Sequence, residues 1–221
     1  MSGPDISHQI EGLIEVTEGI AEAYNPIKDL RGLPEAFQEV NKLLPLVEQT
    51  LRDVESPAKK FNSSDEAKAL ETVLYGYNEK AGKLLEIFMK IAKNSRDQYD
   101  SSVYRAIVIK QGKHRVETLM DGILEDLEAL VSHHIFPAEI QMQIEPLADA
   151  RKELAKAPPS LADSNLAEQP STANQYGDNN RQYNLFGQGT LKIADGHYFE
   201  VQGNPNFSMM PPKESIERKV A

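Results

Sequence analysis

The chain has 221 residues, 34 acidic against 24 basic side chains, a formal net charge of −10 and no cysteine. That charge excludes a nucleic-acid binder working through a basic surface, and the missing thiols exclude disulfides, thiol catalysis and cysteine-zinc sites. No stretch approaches the roughly 18 uninterrupted apolar residues of a spanning helix, and the N-terminus lacks the basic-then-apolar pattern of a secretory signal, so a soluble cytosolic protein is expected.

The first 156 residues read as helix throughout. Residues 6–24 place Ile6, Ile10, Leu13, Ile14, Thr17, Ile20, Ala21 and Tyr24 on one face by the i, i+3, i+4, i+7 rule. Glu11, Glu15, Glu18 and Glu22 line the opposite face. Pro26 and Gly32 mark a connection that turns near residues 29–33. A second helix is predicted from Pro34 to Val54, with Phe37, Val40, Leu44, Val47 and Leu51 inward. Pro34 suits a first helical turn and Glu35 its dipole. Pro45 is expected to kink or split this helix, and Ser56-Pro57 to end it.

Ser63 to Glu66 has the form of a capping box and opens a long third helix to about Lys93. Leu70, Val73, Leu74, Tyr77, Ala81, Leu84, Leu85, Phe88 and Ile91 form its stripe. Gly76 and Gly82 each lower its propensity by about 1 kcal/mol relative to Ala, and also allow close helix approach. A fourth helix is predicted over residues 98–131, weakened in the middle by Gly112 and carried on by Val116, Leu119, Ile123, Leu127 and Leu130. A fifth runs from Pro137 to Lys156, irregular at Pro146. Ala157-Pro158-Pro159 then stops helix formation.

The expected fold is therefore all-α: an antiparallel bundle of about five helices over residues 1–156, then a flexible linker and a β-prone, mostly disordered tail. The linker is assigned to residues 157–173, which are small, polar and proline-bearing. Residues 174–207 are rich in Asn, Gln, Gly and Tyr, a composition that is disordered alone and able to stack as cross-β; a disordered terminus, 208–221, follows. Within this stretch Thr190 to Gln202 reads as a hairpin. A three-residue loop, Ala194-Asp195-Gly196, pairs Ile193 with His197, Leu191 with Phe199 and Gly189 with Val201, which keeps the apolar side chains on one face. A two-residue Asp195-Gly196 turn would oppose Leu191 to Glu200 and split that set. A lone hairpin is marginal in water. It stays transient in a disordered tail, docks on the helical body, or pairs with its own copies through Asn and Gln ladders. The residues expected to carry assembly are Asn184, Gly187, Gly189, Leu191, Ile193, Gly196, Phe199, Val201, Gln202 and Gly203.

Catalytic and cofactor patterns do not occur. There is no G-x-x-x-x-G-K-[ST], no H-E-x-x-H and no G-x-S-x-G, and Gly187-Gln188-Gly189 lacks the third glycine and following helix of a dinucleotide loop. His133 and His134 are adjacent, hence about 100° apart on a helix, and suit a helix C-terminus better than a shared metal. The chain is expected to be no enzyme and to bind no cofactor or metal.

Two stretches carry a family resemblance. LPEAFQEVNKLLPLVEQTL (residues 33–51) and VETLMDGILEDLEAL (residues 116–130) resemble the SesA domain of fungi, and ISHQIEGLIEVTEGIAEAY is similar to that family's first helix. The resemblance covers about residues 5–132. Such domains stand at the N-termini of NACHT and other P-loop NTPases of the NOD-like-receptor type, and are related to the HeLo and HeLo-like bundles that execute regulated cell death on membranes. In that group, stand-alone bundles carry a C-terminal prion-forming motif templated by a matching motif on a receptor. Residues 198–204, YFEVQGN, are similar to the Val-Gln core of the fungal PP motif and the animal RIP homotypic motif, without the apolar residue that the latter has between Gln202 and Gly203. The paired 21-residue repeats of the HET-s type are not seen.

The resemblance implies a cell-death or heterokaryon-incompatibility effector, cytoplasmic at rest and moving to the plasma membrane when activated. Its implied partners are copies of itself, a NOD-like receptor and membrane lipids. The face Ile6, Ile10, Leu13, Ile14 and Ile20 would then be the membrane-active element, with Gly12 and Gly19 permitting close packing of inserted copies. Residues 1–27 nevertheless contain five acids and no Lys or Arg, the reverse of a typical interfacial helix. The alternative implied is a non-enzymatic homotypic adaptor or receptor-pathway signalling module.

Overall fold

A computed structural model describes residues 6–60, 64–95, 97–166, 190–194 and 198–202. The chain divides into two compact units, Met1–Leu166 and Ala167–Ala221.

The first unit is helical. Its elements are α1 (Ile6–Tyr24), α2 (Glu35–Ala58), α3 (Ser64–Asn94), α4 (Ser101–Lys110), α5 (Val116–Val131), α6 (Ala138–Gln141), α7 (Ile144–Leu154) and α8 (Asp163–Leu166). Four of them form the ring that encloses the core: α1 packs on α2 and α3, and α5 closes the ring against α3 and α2. α7 covers α5 and touches α2. Each long helix buries most of the stripe that its apolar spacing predicts, including Ile10, Val40, Leu51, Leu84, Phe88 and Leu127, with Val73 and Leu85 half-buried; Ile87, outside the predicted stripe, is buried as well. Phe37 anchors one end, 5.4 Å from Phe88 and 5.2 Å from Tyr104, ring centre to ring centre. Gly122 of α5 makes room for a side chain of α3, whereas Gly82, expected to allow close helix approach, has nothing within 4 Å of the Cβ it lacks. A Cβ on Gly122 would lie 2.8 Å from the Lys80 stem, and the Lys80 ammonium sits 2.6 Å from Asp126.

Several expected boundaries shift, each for a local reason. α2 is not split at Pro45, whose ring lies on the exposed face between the buried Leu44 and Val47, and it runs on through Pro57 to Ala58. The long fourth helix is two helices. Gly112 does not weaken a helix; it ends one. It holds φ +88°, while the Lys113 N–H donates to the Val108 carbonyl at 2.8 Å and the Gly112 N–H to that of Ile109 at 3.3 Å. This is the paired C-terminal bonding that a left-handed glycine permits. The predicted fifth helix divides into α6 and α7. Pro146 falls in the first turn of α7, where its missing donor has no intrahelical partner to lose. The Ser63 capping box lies outside the described residues.

The linker assignment also needs correction over residues 157–166. Ser160 and Leu161 are buried, and α8 follows them. These residues form a strap laid against α4 and the start of α5, held by polar contacts whose partners are about 43 residues earlier in the chain.

The described residues of the second unit form an antiparallel pair, β1 (Thr190–Ala194) and β2 (Tyr198–Gln202). The register differs from the expected one by two residues. Leu191 pairs with Val201, Ile193 with Phe199 and Ala194 with Tyr198. The expected pairs of Ile193 with His197, Leu191 with Phe199 and Gly189 with Val201 are therefore not formed. The observed register opposes all four apolar positions to one another, whereas the expected one set Ile193 against a histidine and Val201 against a glycine; cross-strand apolar pairs are what stabilise a ladder.

Candidate functional site

Two elements were expected to carry function: the first helix and the tail hairpin. α1 is built as a core element. Ile6, Ile10, Leu13, Ile14 and Ile20 are all buried, with exposures of 6% or less, against α2 and α3. In the middle of this apolar face stands Thr17. Its hydroxyl donates to the Leu13 carbonyl at 2.8 Å, so the Tyr77 phenol 2.6 Å away donates to it in turn. Burial pushes the Tyr77 phenol well above its ordinary value, with the Thr17 hydrogen bond opposing the shift. The phenol is thus a neutral donor at any physiological pH, and it fixes α1 in one register on α3.

The outward face of α1 is acidic. Glu11, Glu15, Glu18 and Glu22 are exposed, and Glu18 reaches Arg52 of α2 at 2.5 Å. A shallow groove of about 440 Å³ runs between α1 and α3, lined by His8, Gln9, Gly12, Leu74, Tyr75 and Asn78. A Cβ on Gly12 would touch nothing within 4 Å, and one on Gly19 would meet only Leu85 at 3.8 Å. Neither glycine is required by packing within the unit.

Of the residues expected to carry assembly, Leu191, Ile193, Phe199, Val201 and Gln202 stand in the ladder, the last opposite Thr190. Asn184, Gly187, Gly189, Gly196 and Gly203 lie outside the described residues. The pairing of Thr17 with Tyr77 was missed, although both residues were placed on apolar stripes; a hydroxyl on each of two stripes was the available signal. The cluster under the strap, Tyr104, Arg115, Glu117 and Ser160, gave no local signal, because its members come from three separate segments. Among the described residues no group of His, Asp or Glu is placed to hold a metal ion, and no helix is long and apolar enough to cross a membrane.

Residues 10–130 match the model of SesA, described as the N-terminal domain on NACHT NTPases and P-loop NTPases. The chain belongs to the SesA family. The match begins within α1 and ends in the last turn of α5, so the SesA region is the four-helix ring itself together with α4. The strap, α6 to α8 and the hairpin lie beyond it. A SesA domain is thus an N-terminal module of the NOD-like-receptor kind, one that occurs on NACHT NTPases. No curated protein and no solved structure matches the chain.

Proposed function

We propose that this SesA chain is the output element of a NOD-like-receptor pathway, a regulated-cell-death effector of the heterokaryon-incompatibility type. Residues 174–207 receive the signal by pairing with a matching segment on a NACHT-type NTPase and then with copies of themselves. The helical unit, concentrated by that assembly, acts on the plasma membrane from the cytoplasm. One observation carries this reading: a SesA ring and an antiparallel hairpin with opposed apolar positions occur in one chain as separate compact units. A hairpin of two strands is marginal alone and gains most by adding further strands at its edges.

The test is seeded assembly of the full chain. Preformed fibrils of a 174–207 peptide should convert the full chain into thioflavin-binding fibrils, and the converted chain should release dye from vesicles. A chain that stays monomeric with seeds removes the assembly step. Conversion without release removes the membrane step and leaves the second reading, a homotypic adaptor. That reading is favoured by the acidic outer face of α1 and by the absence of any Lys or Arg from residues 1–27, since anionic leaflets repel such a surface.

A further inference from the structure

The strap is held as a bound peptide is held, by recognition of both its backbone and its side chains. The Glu117 carboxylate accepts from the Ser160 N–H at 3.1 Å and from the Ser160 hydroxyl at 2.6 Å. Because that hydroxyl gives its proton to Glu117, the Tyr104 phenol 2.6 Å away donates to Ser160, and the Val116 N–H donates to Tyr104 at 3.1 Å. A single relay therefore runs from the first residue of α5 to the strap and back to Glu117. Such buried chains of donors strengthen one another. Arg115 donates to the Leu161 carbonyl at 2.9 Å and reaches the Asp163 carboxylate at 2.8 Å. Arg105 donates to the Asn165 carbonyl at 2.7 Å. The Leu161 side chain is buried beneath these contacts, as an anchor residue is in a pocket.

We propose that the cleft between α4 and the start of α5 is a peptide-recognition site, occupied in cis by residues 158–165, and that its partner in trans is the same segment of a second copy. The structure itself supplies the occupant: the site's donors and acceptors are already matched to Pro-Pro-Ser-Leu-Ala-Asp. Occupancy in cis is favoured by tethering, which presents the strap at an effective concentration of about a millimolar. Exchange between copies becomes competitive only when helical units are crowded to that level. Ala157-Pro158-Pro159 supplies a stiff hinge at the point where the segment leaves α7, and exchanging an identical element between protomers costs little. The proposal stands independently of whether residues 174–207 assemble or membranes are involved.

The experiment uses the full chain in two complementary variants. Leu161→Asp removes the strap's anchor and leaves the cleft intact; Glu117→Ala removes the cleft's acceptor and leaves the strap intact. A synthetic peptide of residues 155–166 is titrated while the amide signals of residues 104 and 115–117 are followed by NMR. The peptide is expected to saturate the Leu161→Asp chain about tenfold more tightly than the wild type, whose cleft is already filled. Adding Glu117→Ala to that chain is expected to abolish binding. Mixing the two single variants at high concentration should give a heterodimer in sedimentation, while each alone stays at its lower state. Failure to saturate, equal binding to wild type, or binding indifferent to Glu117→Ala overturns the proposal. Should Leu161→Asp not fold, hydrogen exchange of the wild type decides the matter. The Ser160 and Asn165 amides must exchange faster than those of α5, and exchange only with global unfolding overturns it.

Discussion

At the contact between α1 and α3, Thr17 and Tyr77 bury two hydroxyls in an otherwise apolar seam, with exposures of 1% and 2%. Each satisfies the other, so the cost of a change depends on what it leaves behind. Thr17→Val strands the Tyr77 phenol without an acceptor, and a stranded buried donor costs about 1–3 kcal/mol. Tyr77→Phe is milder, because the Thr17 hydroxyl keeps its bond to the Leu13 carbonyl. The double variant should lose less than the sum of the singles, and urea unfolding of the four proteins measures that coupling. The same cycle has a pH signature. Burial raises the phenol, so the folded state holds its proton more tightly than the unfolded chain does. That contribution is complete below the ordinary tyrosine value of about 10 and is lost as pH rises above it. Repeating the unfolding at alkaline pH should therefore narrow the gap between wild type and Tyr77→Phe. Tyr99 and Tyr104, also pushed up by burial, keep part of the alkaline loss in both proteins.

Among the elements, glycines show how one residue type does opposite work. Gly82 sits in the interior of α3, exposed, with nothing within 4 Å of the Cβ it lacks. Gly82→Ala should therefore stabilise the chain by about 0.5–1 kcal/mol, the ordinary difference in helix propensity. Gly112 holds φ +88° in the turn that ends α4. Gly112→Ala should destabilise by about 1–2 kcal/mol, the cost of a side chain in the left-handed region. Calorimetric melting of both variants checks the opposite signs. The same contrast explains which boundaries were legible. Periodicity located α1, α2, α3 and α5, because each buries a continuous stripe that no other pattern produces. It could not separate α4 from α5, since Val108 and Val116 keep the apolar rhythm across the break. Only the conformation of Gly112 distinguishes a C-cap from a weak point. In the hairpin, the parity of Leu191, Ile193, Phe199 and Val201 was legible, because alternation fixes it. The loop position was not, because moving it by one residue on each strand preserves that parity.

At the scale of the whole helical unit, the strap is the part that composition concealed. Residues 157–166 are Ala, Pro, Ser, Leu, Asp and Asn, which read as linker in isolation. What orders them is Glu117 and Arg115, whose own neighbourhood reads as the start of a helix. Order that arises from a distant partner leaves no mark on local composition. This has a measurable consequence for the stability of the unit. Burying Leu161 contributes about 1.5–3 kcal/mol, and its loss leaves Glu117 and Tyr104 without the Ser160 hydroxyl between them. A chain of residues 1–166 should therefore melt higher than one of residues 1–156, by about 5–10 °C at roughly 2–4 °C per kcal/mol. Glu117→Ala separates the strap from any general effect of shortening. It should lower the melting temperature of the 1–166 chain more than that of the 1–156 chain, because in the shorter chain Glu117 keeps only its ion pair with Arg115 at 3.2 Å. Equal losses in both lengths would mean that Glu117 acts within the bundle, through Arg115 alone, and that the strap merely rests on the surface it covers.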